Sequence, residues 1–212
     1  MNFFENARQA KLVRHLEKQE NLARFVGYYL DRTSVAKTAD ARVRHGSLLA
    51  RSPSSPVARA LLAATDELKS LHISIEVAFA RLEPAELMAD WVARGRAEPG
   101  RQPTVLFRWA ARPQLLEAHE QLVLGLSMSW TGDCMRREPE TRDAYELFDT
   151  FHAEAAARAT QSFRAIWNTC QPLPASIAGI DATASEPTPG GSPKGLAEAR
   201  PLPAKPTILT RH

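Results

Sequence analysis

The sequence predicts a mainly α protein: a helical bundle with long N-terminal and C-terminal helices and a disordered proline-rich tail. Three observations carry that reading. Apolar residues return at steps of three and four over much of residues 1–170, the period of a helix with one buried face. Glycine is sparse, with ten in 212 residues. Eight of the fifteen prolines fall after Gln171, where they remove backbone donors and block helix continuation.

Residues 1–32 read as an N-terminal amphipathic helix. Leu12, Leu16, Ala23, Val26 and Leu30 form one stripe, flanked by Leu22, Phe25 and Tyr29. Residues 33–55 form a basic loop, because Gly46 and the run Arg51-Ser-Pro-Ser-Ser-Pro supply loop chemistry. A helical core is expected over 56–170. In it Leu61, Ala64, Leu68, Leu71, Ile75, Phe79 and Leu82 keep helical spacing.

The alternative is an α+β fold with short strands near 72–82, 104–109 and 122–130. Ile73, Ile75, Val77 and Phe79 alternate with smaller or polar residues, and β-branched side chains favour strands. Pro84 to Gly95 looks like a short helix with proline in its first turn and glycine past its end. Residues 139 to about 169 are expected to be one long helix. Ala144, Phe148, Phe151, Ala155, Ala159, Ser162 and Ile166 lie along its stripe, with Pro139 opening it and Pro172 closing it. The tail, 171–212, has too few large apolar side chains to offset its ordering entropy.

Several function classes leave no mark. No Gly-x-Gly-x-x-Gly, phosphate loop, Gly-x-Ser-x-Gly elbow or His-Glu-x-x-His occurs. The first residues lack the apolar core of a secretory signal, and no stretch approaches a membrane span. Cys134 and Cys170 are the only cysteines, which suits two reduced thiols and a cytoplasmic location. No cofactor is expected.

Charge is uneven. Residues 1–60 carry eleven Lys and Arg against five Asp and Glu, whereas 61–170 carry twelve against sixteen. A basic segment attracts polyanions or acidic surfaces.

Two local constellations offer sites. Trp130, Asp133, Arg136 and Arg137 are candidates for an anion or partner site, the arginines holding the anion. The same stretch also reads as a corner, loosened by Gly132 and fixed by an Asp133–arginine pair. Glu117, His119 and Glu120, with Asp149 and His152, make a weaker case for metal binding, since a helical di-iron site needs Glu-x-x-His on two helices.

Residues 22–67 resemble a winged helix of the kind found in small bacterial repressors. Leu22 to Gly27 match its first helix, Asp31 to Lys37 the start of the recognition helix, and Arg51 to Pro56 the wing tip. The resemblance implies that Arg32, Ser34 and Lys37 face the DNA groove, with Arg42, Arg44 and Arg51 on phosphates. The positions after Val35 hold Thr38, Ala39 and Arg42 where the family has apolar residues.

The sequence thus points first to a non-catalytic helical protein acting through a protein partner or self-association, more plausibly not an enzyme. A DNA-binding regulator and a metal-dependent helical protein using His119 and His152 are the alternatives.

Overall fold

The computed structural model describes residues 11–13, 15–36, 40–95, 104–112, 116–136 and 144–178. They belong to one compact unit, Met1–Ile180; residues 181–212 lie outside the described residues.

The elements run β1 (Lys11–Val13), α1 (His15–Val35), a 3-10 turn (Ala41–Arg44), β2 (His45–Ala50), α2 (Pro56–Ala63), α3 (Thr65–Ser70) and β3 (Ser74–Phe79). Then come α4 (Ala85–Gly95), β4 (Val105–Trp109), β5 (His119–Leu124), β6 (Met128–Cys134), β7 (Ala144–Asp149), α5 (Ala153–Trp167), β8 (Gln171–Pro172) and α6 (Ala175–Ala178). The strands form one mixed sheet in the order β1-β7-β6-β5-β2-β3-β4-β8. β2, β3 and β4 are mutually parallel, and every other pairing is antiparallel.

Helices cover both faces of the central strands. On one side Leu22, Phe25 and Val26 of α1, Val57 and Leu61 of α2, and Met88 and Trp91 of α4 pack on Leu48, Val77, Phe79, Leu122, Trp130 and Phe148. On the other, Phe163 and Trp167 of α5 meet Leu49, Ala78 and Met135, while Ala156 and Ala159 lie on Val123. The parallel strands need crossover connections, and α2–α3 and α4 supply them.

This architecture replaces the expected helical bundle with an α/β fold. Strands occupy 74–79, 105–109, 119–124 and 128–134, overlapping the segments 72–82, 104–109 and 122–130 where strands were the alternative. The helical reading failed there for a physical reason. A strand covered on both faces is apolar on both, so its polar alternation fades and its residues join a neighbouring helical stripe. The long helix expected from 139 is instead strand β7 followed by α5. Phe151 at φ 60° and His152 separate the two, and Ala144 and Phe148 belong to the strand. Residues 137–143 lie outside the described residues. In the tail, β8 pairs with β4 and α6 follows it. No helix among the described residues is long and apolar enough to cross a membrane.

The winged-helix reading is also corrected. Residues 45–50, which it places between recognition helix and wing, are the central strand β2, and Arg51 to Ser55 lead from it into α2. The residues it assigns to DNA sit on different elements. Arg32 and Ser34 end α1, and the Ser34 hydroxyl donates to the Asp31 carbonyl. Arg42 is paired with Asp40 at 2.9 Å. Arg44 and Arg51 flank opposite ends of β2, and Lys37 lies outside the described residues. The apolar faces that suggested association through helices are spent on this sheet instead.

Candidate active site at the head of β5

The C-terminal ends of β2 and β3 lie beside the first residues of β5, because β5 runs antiparallel to β2. In open α/β sheets ligands bind at that edge, where connections diverge. Here it carries a dense set of polar side chains.

A bulge in β6 organises them. Gln121 pairs with Thr131, but His119 pairs with Cys134, so β6 holds one extra residue between the two registers. Such an insertion turns the following side chain to the other face. Asp133 is thereby brought to the α1 side, where its Oδ2 lies 3.3 Å from Lys18 Nζ and its Oδ1 accepts from the Tyr145 amide at 2.9 Å. Lys18 also lies 3.9 Å from Glu120 and 5.2 Å from the centre of the Trp130 ring. Glu120 accepts from the Arg51 amide at 3.1 Å, which fixes the end of β2. Beside this group the Asn21 amide donates to Glu146 at 3.0 Å, and Arg24 donates to Asn21.

Lys18, Asn21, Glu120, Asp133 and Glu146 are all buried. Buried ions persist only when paired and hydrogen-bonded, and Lys18, Glu120 and Asp133 meet that condition. The network holds α1, β5, β6 and β7 in register beneath the exposed face.

On that exposed face the same bulge places the Gly132 carbonyl 2.7 Å from His119 Nδ1. A carbonyl only accepts, so Nδ1 carries the proton and Nε2 keeps a free lone pair. The imidazole is exposed and meets the Tyr145 ring edge-on at 6.2 Å. One step outward along the hairpin, Arg136 and Glu117 form an ion pair at 2.8 Å with both side chains largely exposed. Gln121 lies two residues along β5 and so on the face of His119. With Ser129, Thr131, Asp149, Arg158 and Ser162 it lines an open cavity of about 290 Å³ beside α5.

Of the expected anion-site residues, Trp130 is buried with Lys18 over its ring, Asp133 lies 3.3 Å from Lys18, Arg136 pairs with Glu117 at 2.8 Å, and Arg137 lies outside the described residues. The metal reading does not survive. His119 starts β5, whereas the His152 amide donates to Ser127 in the hairpin beyond the other end of that strand. His152 Nδ1 accepts from the Ala155 amide at 3.0 Å, an N-terminal cap for α5. No three potential ligands converge among the described residues. Lys18 is what sequence reasoning missed, since nothing local marks one lysine of a polar helix as buried. The signal within reach was Gly132 two residues after Trp130, since glycine inside a strand often marks a bulge.

The fold with these features is a mixed α/β sheet with helices on both of its faces. Among solved structures, a phospholipase D family member, Nuc from Salmonella typhimurium, matches with a TM-score of 0.51 at 12% identity, over 78% of this chain and 97% of that one. NucT from Helicobacter pylori matches at 0.46 and 11% identity, over 78% and 99% of the two chains. An archaeal chromatin protein described as binding DNA matches at 0.48 and 8% identity, over 81% and 57%. The likeness to Nuc shows the fold. No family model and no curated protein matches the sequence.

Proposed function

We propose that this chain is a phosphodiester hydrolase or transferase whose reactive group is His119. The observation that carries the reading is the 2.7 Å contact between His119 Nδ1 and the Gly132 carbonyl, which fixes the proton on Nδ1 of an exposed imidazole. The shared fold with a phospholipase D family member supports the substrate class.

In this reading Nε2 attacks phosphorus and the P–O bond to the leaving alkoxide breaks, the alkoxide taking a proton from solvent. Water then cleaves the phosphohistidine, releases a phosphomonoester and restores the imidazole. The Gly132 carbonyl holds the Nδ1 proton and so favours the positive ring that forms on attack. Arg136 is the anion-holding group. Its exposed pair with Glu117 is worth little, so a phosphate can take Glu117's place. The two free thiols, Cys134 and Cys170, fit a reducing cytoplasm.

The test is turnover of bis(p-nitrophenyl) phosphate by the purified chain. His119→Ala should lower the rate at least about 100-fold, and Arg136→Ala should raise KM more than it lowers kcat. Acid-labile phosphate on the chain during turnover would mark the covalent step. Equal rates for wild type and His119→Ala would end the reading.

A further inference from the structure

A second set of reactive side chains lies at the opposite end of β2. His45 and Ser74 are the first residues of β2 and β3 and face each other in the parallel register. Ser74 Oγ lies 3.2 Å from His45 Nδ1. Two residues on, and on the same face of β3, Glu76 Oε2 lies 3.2 Å from His45 Nε2. The other Glu76 oxygen, Oε1, accepts from Arg164 of α5 at 2.8 Å.

The carboxylate decides how the imidazole is protonated. Glu76 is 8% exposed, and its Oε2 is buried with no hydrogen-bond partner in the resting geometry. Leaving such an oxygen unsatisfied costs about 1–3 kcal/mol or more. The group within reach is His45 Nε2, which can donate only if it carries the proton. A small ring rotation then satisfies Oε2 and leaves Nδ1 as an acceptor, pointed at the Ser74 hydroxyl. Hydroxyl, base and orienting carboxylate are thus connected in sequence, and such constellations are recognised by geometry and role. Half-buried Ser74 and His45, whose side chain is 32% exposed, leave the group open to a small substrate.

The geometry points to Ser74 as a nucleophile toward small carboxylic esters, with His45 as its base and Glu76 as the residue positioning His45. Ser74 Oγ bonds to the ester carbonyl carbon while its proton passes to His45 Nδ1. The imidazolium is held by Glu76. The C–O bond to the alcohol then breaks, and the alkoxide takes the proton from Nδ1. Water repeats the sequence on the acyl-serine, releasing the acid and restoring Ser74. This activity is separate from His119, which lies beyond the other end of the sheet.

Reaction of the full chain with an aryl fluorophosphonate, read by intact mass and peptide mapping, tests the proposal. One adduct should form on Ser74. Ser74→Ala should give no adduct, and His119→Ala should label like wild type. His45→Gln should slow labelling about 100-fold. Glu76→Gln should slow it less. Absence of an adduct at Ser74, or wild-type labelling of His45→Gln, would overturn the assignment. Ser74→Ala removes one oxygen and no charge, so its folding is a secure control by thermal melting.

Discussion

Lys18 Nζ lies 3.3 Å from Asp133 Oδ2, joining the first helix to the bulged end of β6 across 115 positions of sequence. The contact is buried, with 2% and 10% of the two side chains exposed. A pair in that setting differs from a surface ion pair, because water is not at hand to replace a lost partner.

Lys18→Met therefore makes the first prediction. It keeps most of the stem over Trp130 but removes the ammonium between Glu120 and Asp133. Urea unfolding should show a loss of about 3–5 kcal/mol, the range for breaking one side of a buried pair, with the m-value unchanged. Asp133→Asn should cost less, since its remaining oxygen can still accept from the Tyr145 amide. In a double-mutant cycle the two changes should couple strongly. Additive effects would mean the two groups do not stabilise one another.

A second prediction concerns alkaline pH. Burial pushes the Tyr29 phenol up to about 12, against the opposing pull of Thr33 and Arg44. Its hydroxyl donates to the Val43 carbonyl at 2.7 Å, so the neutral form is the one the fold holds. The folded state thus keeps a proton that the unfolded chain releases near pH 10. The resulting stability is fully present below about pH 10 and is lost as pH rises through about 12. Thermal melts should fall more steeply over that window for wild type than for Tyr29→Phe, although the variant starts lower by about 1 kcal/mol for the missing hydrogen bond. Parallel curves would place the alkaline loss on another group.

These two contacts mark what the sequence makes legible and what it hides. The alternation of Ile73, Ile75, Val77 and Phe79 does encode β3, yet both faces of that strand are covered, so the helical period of its neighbours masks it. Trp130 to Asp133 is visible as a stretch that ends an apolar run with a glycine and a carboxylate. The partner of Asp133 is not visible, because pairing at a separation of 115 residues leaves no local spacing to read. His119 stands out as a polar residue amid ligand types, but its role depends on a carbonyl, and no side-chain pattern reports where a carbonyl points.

The cysteines should separate by reactivity. Cys170 is 8% exposed and burial raises its thiol pKa, with Arg108 pulling the other way. Cys134 is half-buried, with its sulfur near the Leu116 and Glu117 carbonyls at the strand end. The thiolate is the reacting species, so an aromatic disulfide reagent at neutral pH should modify Cys134 first and Cys170 only on unfolding. Cys134→Ser should abolish the fast phase. Two equal fast phases would show that the α5 face opens readily.

The sharpest prediction falls on Gly132, whose position serves both sides of the sheet. A Cβ there would stand 2.5 Å from Trp130 Cζ2, inside van der Waals contact with a ring that is itself fully buried. The indole cannot withdraw, since Lys18 lies over it and Leu122 opposes it across the strands. Gly132→Ala must instead move the β6 backbone, at a cost of about 1–3 kcal/mol for overpacking. That movement carries the carbonyl away from His119 Nδ1. The imidazole then loses the acceptor that fixes its tautomer, and phosphodiester turnover should fall with His119 still in place. Gly132→Ala should therefore lower kcat far more than KM at temperatures where circular dichroism shows it folded. Trp130→Leu combined with Gly132→Ala frees the space and should restore part of the rate. If Gly132→Ala turns over substrate like wild type while remaining folded, the carbonyl has no part in presenting His119.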